Sequence, residues 1–347
     1  MAIEPAGGRV TVHDLARAAG VSLATIDRVL NARPGVRPAT AARVEEAIAR
    51  IGFKRDMTAS MLARARDIRL AFILPEGTNQ FMTKLAEAVE TIGAQARAER
   101  VVFDLDRIRS IDAQALSDAL DALDADTYDG AAIVAIDKPA VHAAVARATG
   151  RGLKIITLVS DLPGSARRAF VGIDNAAAGR TAGSLMGRFC PQGGKIMLVA
   201  GSMGLIDHAE RISGFRSIVS SEFPAVSVLG PVEGQDEFTL TYERTLAFMG
   251  EHPDIVGVYN VGAGNAGLVM ALTEAGLAGK VRFVAHELTG PTCAGLNSGV
   301  IDVVIVQSPE DEIRAVWAAA RRLVLGPDAA PPESPIEIKV FLRDNLR

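Results

Sequence analysis

The sequence predicts an α/β protein: a small all-α, helix-turn-helix head followed by a two-lobed body of parallel sheets flanked by helices. Three observations carry this. From residue 68 onward, short apolar runs alternate with helical stretches, the β–α rhythm of an α/β fold with right-handed crossovers. The runs are near-continuous Val, Ile and Leu, which implies strands buried on both faces beneath helices. The segment from 68 to 347 also exceeds one comfortable domain, so two lobes are expected. Across all 347 residues, 49% are apolar and 22% charged, which excludes a disordered or collagen-like chain. Cys190 and Cys293 form no CxxC pair, so neither a zinc cluster nor a disulfide framework is expected, and a reducing compartment fits. No signal peptide or membrane span is legible; the stretch 255–273 carries Asn260, Asn265 and several glycines and reads as strand, loop and helix. A cytoplasmic protein is expected.

The head comes first in the chain. Residues 1–66 hold 11 Lys+Arg against 6 Asp+Glu, whereas the whole chain has a net charge of −4. A basic head on an acidic body points to a polyanion as its partner. Three helices are expected within residues 11–53. Thr11 caps the first, with Val12, Leu15, Ala16 and Ala19 on one apolar face. Gly20 makes the turn, with a positive φ. Ser22 caps the second helix, which turns Ile26, Val29 and Leu30 inward. Thr40, after Pro38, is expected to cap the third, with Val44, Ala47, Ile48 and Ile51 inward and Gly52 at its end.

Two helices joined by Ala19-Gly20-Val21 make a helix-turn-helix, whose second helix enters the major groove. Leu23, Ala24 and Arg28 are then exposed: Arg28 to pair with guanine, Leu23 and Ala24 to meet a thymine methyl. Thr25, Asn31, Arg33 and Arg37 are placed to touch phosphates, and Thr11 and Ser22 complete the candidate DNA-binding set. The alternative reading is a helical bundle with a solvated basic face. Residues 56–67 then read as a linker, helical in propensity but too short to be stable alone.

In the body, strands are expected at 68–75, 101–108, 130–136, 154–159, 195–200, 226–232, 255–261, 281–287 and 301–307. Gly262, Gly264 and Gly267 form GAGNAG after a strand and before a helix, with Glu287 twenty residues on. That spacing matches the dinucleotide-binding fingerprint and leaves a nicotinamide enzyme as an alternative. Against it, the motif lies late in a series of β–α units, the five histidines show no metal spacing, and no catalytic constellation accompanies it. No cofactor, no metal and no catalytic residue are expected.

The residues 10–53, with Thr11-Val12-x-Asp14-Leu15-Ala16, Ala19-Gly20-Val21-Ser22, Thr25 and Arg28-Val29-Leu30-Asn31, resemble the DNA-binding head of the lactose-repressor (LacI/GalR) family of bacterial regulators. The stretches 75–81, 158–163, 170–183, 210–215, 252–265 and 286–309 resemble the sugar-binding core that this family shares with periplasmic receptors of the ribose-binding type. The resemblance implies a head at 1–55, a hinge helix at 56–67 and an effector domain at 68–347. Its first lobe would take about 68–160 and 308–335, and its second about 161–306 and 336–347, with crossovers near 160, 307 and 336. It also implies that Leu23, Ala24 and Arg28 set operator choice, and that Leu62 is a minor-groove wedge. Asp27 departs from the family's usual serine.

For the effector, the resemblance implies Asn79, Phe81, Asp137, Arg211 and Gln307, with Ser160, Asp161, Asn260, Asn265, His286 and Glu287 as further candidates. Gly262 and Ala263 replace the receptors' Asn-Asp, Ala285-His286-Glu287 replaces Phe-Asp-Gly, and Met82 replaces a second aromatic. Donors and acceptors beside a ring suit a sugar or polyol. The implied protein is a transcription regulator, a repressor by expectation. Its partners would be double-stranded operator DNA, a small effector and a second copy in a homodimer, with no membrane. A solute-binding protein is the binding-module alternative.

Overall fold

The computed structural model describes residues 10–30, 35–53, 66–109, 111–330 and 335–346. The chain divides into two compact units, Met1–Asp67 with Ala318–Pro332 and Ile68–Trp317 with Glu333–Arg347.

In the first unit, α1 (Val12–Ala19) starts at a capping box: the N–H of Asp14 donates to Thr11 Oγ1 at 3.3 Å and the N–H of Thr11 to Asp14 Oδ2 at 3.0 Å. Gly20 ends it at φ +64°. In α2 (Leu23–Leu30), the N–H of Thr25 donates to Ser22 Oγ at 3.2 Å, the expected cap. Helix α3 (Pro38–Ile51) departs from expectation at its start. Pro38 is the first helical residue and Arg37 the N-cap, with no side-chain cap, so Thr40 lies inside the first turn. Proline's fixed φ suits that first position and needs no N–H there. Leu15, Ile26, Val44, Ala47 and Phe53 form the buried core, with Val29, Leu30, Ile48 and Ile51 packed on it. Val12, expected on the inner face, is exposed.

In the second unit, β1 (Ile68–Glu76), β2 (Val101–Arg109), β3 (Gly130–Ile133), β4 (Lys154–Leu158) and β5 (Ala169–Val171) form one parallel sheet in the order β2-β1-β3-β4-β5. Its helices are α4 (Gln80–Ala98), α5 (Ala113–Ala122) and α6 (Pro139–Gly150). The second sheet runs in the order β11-β10-β9-β8-β6-β7. It comprises β6 (Gly194–Ala200), β7 (Val226–Glu233), β8 (Ile255–Asn260), β9 (Arg282–His286), β10 (Val303–Val306) and β11 (Lys339–Phe341). Its helices are α7 (Asn175–Phe189), α8 (Ile206–Glu222), α9 (Phe238–Glu251), α10 (Asn265–Glu274) and α11 (Gly290–Ser298); α12 (Pro309–Leu325) follows β10.

The nine expected strands all form. Two more, β5 and β11, are three residues each and carry too little pattern to read. Strand β5 holds the chain in the first sheet past residue 160, to Val171, and β11 returns antiparallel to β10. In each sheet, consecutive connections leave to opposite sides at one point: β1/β3 in the first, β6/β8 in the second. Such switch points place loops at the carboxyl ends of strands, where open α/β sheets bind ligands. Here both sets of loops line one cleft.

Candidate functional site

The cleft encloses about 110 Å³. From the first sheet come Thr78, Asn79, Phe81 and Met82 after β1, Val134 after β3, and Val159 and Ser160 after β4. From the second come Asp207, His208 and Arg211 on α8, Asp236 and Phe238 before and on α9, Gly262–Ala266 after β8, His286 and Glu287 after β9, and Gln307 after β10. Val159, Asp236 and Glu287 have φ of +64°, +57° and +65°, a region that non-glycine residues adopt at a cost of about 1–3 kcal/mol each. Three of the six such residues among those described stand around this one cavity.

Arg211 is 3% exposed. It reaches the cleft because α7 and α8 pack closely: a Cβ on Gly179 would lie 2.0 Å from the carbonyl oxygen of Arg211. Its Nε donates to Asn175 Oδ1 at 2.9 Å and its Nη1 to the carbonyl of Val261 at 2.8 Å. Among the described residues its Nη2 has no partner. The same holds for Asp207 Oδ1, His286 Nδ1 and Gln307 Oε1, all on residues that line the cavity. Leaving such a group buried and unpaired costs about 1–3 kcal/mol, so a ligand that pairs them recovers that energy.

Neighbouring groups hold these in place. Gln307 Nε2 donates to Glu287 Oε1 at 3.0 Å, and His286 Nε2 meets the Tyr259 hydroxyl at 2.9 Å. Burial raises the Glu287 carboxyl to about 7, although Arg211 opposes the shift. Burial, reinforced by Arg211 and His208, holds His286 well below the usual imidazole range, so it is neutral. Behind them, Glu312 is fully buried, and burial plus repulsion from Glu287 pushes its carboxyl well above the ordinary range.

Eight of the eleven expected effector residues line the cleft: Asn79, Phe81, Ser160, Arg211, Asn265, His286, Glu287 and Gln307. Their roles differ. Asn79 Oδ1 caps α4 by accepting from the N–H groups of Phe81 and Met82 at 3.0 and 3.4 Å, and Ser160 Oγ accepts from the N–H of Ile206 at 3.1 Å. The other three stand outside the lining. Asp137 is exposed and pairs with His142 Nε2 at 2.8 Å. Asp161 accepts from Thr157 Oγ1 and Arg167 Nη2, both at 2.6 Å, a local ion pair. Asn260 braces the next loop, donating to the carbonyl of Ala263 at 2.9 Å and to Asn265 Oδ1 at 2.8 Å.

Sequence reasoning missed Asp207, His208, Asp236 and Phe238. Phe238 is an exposed aromatic at the cleft, and an uncovered ring at a helix start is the signal that could have found it.

The glycines of GAGNAG serve packing. A Cβ on Gly267 would lie 2.3 Å from the carbonyl oxygen of Phe238, and one on Gly264 2.3 Å from Thr241 Oγ1. The N–H of Ala263, which a dinucleotide phosphate would need, donates to Asp236 Oδ1 at 2.9 Å. The loop is filled by α9 and a carboxylate, which disfavours a pyrophosphate.

On the head, Leu23, Ala24 and Arg28 are exposed along α2, and Thr11, Ser22 and Arg37, which precede α1, α2 and α3, are exposed too. Thr25 is half-buried, its hydroxyl 2.9 Å from that of Ser22. Asn31, Arg33 and Leu62 lie outside the described residues. No helix among the described residues is long and apolar enough to cross a membrane.

Residues 70–328 match the family described as periplasmic binding protein domain, and residues 11–56 match bacterial regulatory proteins, lacI family. Catabolite control protein A of Priestia megaterium is 35% identical over 98 residues, 28% of this chain and 30% of that protein. Its counterpart from Staphylococcus epidermidis is 33% identical over 97 residues, with the same coverage. The chain thus matches about 30% of the length of these curated relatives. Among solved structures, an ABC-transporter solute-binding protein from Burkholderia graminis in complex with D-arabinose aligns with a TM-score of 0.74 at 23% identity, over 81% of this chain and 97% of that one. A glucose-galactose binding protein, GanP, from Geobacillus stearothermophilus aligns with a TM-score of 0.74 at 20% identity, over 81% and 99%. These two likenesses show the fold.

Proposed function

The chain belongs to the lacI family of bacterial regulatory proteins, with a periplasmic-binding-protein body, and we propose that it is a cytoplasmic, dimeric repressor whose hold on operator DNA is set by a small sugar or polyol in the cleft. It acts by binding and carries out no catalysis. The observation that carries this reading is the exposure of Leu23, Ala24 and Arg28 on a capped second helix, in a chain whose body has a ligand-sized cleft.

Arg28 would read a guanine by a bidentate pair, and Leu23 and Ala24 a thymine methyl. Arg37 and Thr25, with Asn31 and Arg33, would fix the head on phosphates. Two heads on a two-fold axis would require a roughly palindromic operator. Leu62 in each linker would wedge into the minor groove.

In the cleft, ligand hydroxyls would donate to Asp207 and Gln307 and accept from Arg211, and Phe81 would cover an apolar face of the ring. The D-arabinose held by the Burkholderia protein supports a ligand of this class. Ligand bound between two lobes would favour one lobe angle over another, and a hinge that senses the angle would change operator affinity. That gives two sites, two states and a differential affinity.

The test is selection of bound fragments from the source genome, with the full chain and with a chain lacking residues 1–66. Recovery of a palindrome only with the full chain is expected. Enrichment of no sequence by the full chain, with and without a pool of sugars and polyols, would overturn the reading.

A further inference from the structure

Charge and hydrogen-bonding capacity in the cleft are both lopsided. Among the described residues that line it, three carry carboxyl groups, Asp207, Asp236 and Glu287, and Arg211 is the one Lys or Arg. Asp207 and Asp236 are 5% and 7% exposed. Two of Arg211's three nitrogens already serve Asn175 and Val261. His286 is held neutral by burial, and His208 Nδ1 accepts from the N–H of Ser202 at 3.4 Å. Lys84, outside the lining, gives its ammonium to the carbonyl of Leu288.

The start of α10 is the place where backbone N–H groups would hold a phosphate. Asp236 occupies it: Oδ1 accepts from the N–H of Ala263 at 2.9 Å, and Oδ2 from Asn79 Nδ2 at 3.4 Å. A phosphoryl or carboxylate group brought there would meet a buried carboxylate in place of free donors. The unpaired atoms point the same way. Asp207 Oδ1 and Gln307 Oε1 are acceptors, Arg211 Nη2 is a donor, and His286 Nδ1 can serve as either. A ligand rich in donors satisfies this set; a phosphate dianion offers acceptors only.

We infer that the cleft takes a polyhydroxy ligand without negative charge, neutral or amine-bearing, and turns away phosphorylated and carboxylated sugars, with Asp236 as the residue that sets this preference. The inference rests on the effector reading above and narrows it by charge.

The test is calorimetric titration of the full chain with matched sets: neutral sugars and polyols, their amino counterparts, and their phosphorylated and carboxylated counterparts. Asp236→Asn is run beside the natural chain. Asparagine keeps the shape and the acceptor for Ala263, and it tolerates the φ of +57° found there. For the natural chain, an anionic counterpart is expected to bind about thirtyfold or more weakly than its uncharged parent; Asp236→Asn is expected to narrow that gap about tenfold. Binding of an anionic sugar as tightly as its parent would overturn the inference, whatever the variant does. A gap unchanged in folded Asp236→Asn would remove Asp236 from the role. Failure of every compound, charged or not, would overturn the effector reading itself, and this inference with it.

Discussion

Glu287→Gln tests the electrostatics of the cleft in a single atom exchange. The Glu287 carboxyl is raised from 4.5 to about 7, chiefly by burial. A raised acid binds a proton more tightly in the folded state than in the unfolded one. Its contribution to stability is therefore complete below about pH 4.5 and is lost as pH rises through about 7. At about 1.4 kcal/mol per unit, the difference amounts to roughly 3 kcal/mol, reduced to about 2 kcal/mol by water reaching the half-buried side chain. Glu312 is raised too and changes stability in the same direction, so the natural chain alone does not isolate Glu287. The difference between chains does. Urea midpoints are expected to diverge from pH 4 to 8: Glu287→Gln, a near-isostere of the protonated acid, matches the natural chain near pH 4 and is about 2 kcal/mol more stable than it by pH 8. Effector binding carries the opposite sign. A hydroxyl donating to the ionised carboxylate lowers its pKa in the complex, so affinity rises as pH rises through about 7 and is flat in the variant. Parallel urea curves for the two chains would refute the assignment of a perturbed acid at this position.

Gly267→Ala is expected to destabilise by about 1–3 kcal/mol, because its Cβ would meet the Phe238 carbonyl oxygen at 2.3 Å; a thermal midpoint checks it, and an unchanged midpoint would argue against the close α9–α10 packing. Arg28→Ala is expected to relax one operator position by about 1–3 kcal/mol while sparing others, read by binding to a set of single-base operator variants. Uniform weakening across all variants would make Arg28 a phosphate contact. Leu15→Ala, at a fully buried head position, is expected to cost about 2–5 kcal/mol. That would abolish operator binding while leaving effector titrations intact; full operator binding would contradict the head's core.

What was legible in the sequence follows from what has a period. Leu15 with Ala19, Ile26 with Val29 and Leu30, and Val44 with Ala47 each fall at helical spacing on their own helix, and they pack in the core of the head. The longer strands announced themselves by uninterrupted Val, Ile and Leu. The start of α3 was misplaced because Thr40 is a good cap by type, whereas Pro38 fixes the first turn two residues earlier. The cleft was only partly legible. Arg211, Glu287 and Gln307 stand in motifs, but Asp137 and Asp161 match by type and then find partners nearby, His142 and Arg167. Asp236 and Phe238 carry no motif. They are brought in by the turn from β7 into α9, which only the folded sheet aligns with Arg211.

Strain and unpaired groups occur together at the cleft. Val159, Asp236 and Glu287 hold a costly backbone, and four buried polar atoms around them lack partners among the described residues. The sheets on either side are fully packed and fix those loops in place: Ile196, Leu198, Tyr259 and Val284 are buried behind the second set, and Ile133 and Ile155 behind the first. The cost is thus held by the strands and located at the loops. All four atoms stand on the second sheet's side of the cleft, so a ligand that pairs them and also reaches Phe81 on the first side lowers the energy of the lobe arrangement that brings the two sides together. At a hundredfold excess over its dissociation constant such a ligand stabilises by about 2.7 kcal/mol. An effect of that size, drawn from groups on both lobes, suffices to shift a hinge between two nearly balanced states. A ligand touching only one side would bind without that shift, so the proposed regulation calls for a ligand that spans Phe81 on one side and Arg211 and Gln307 on the other.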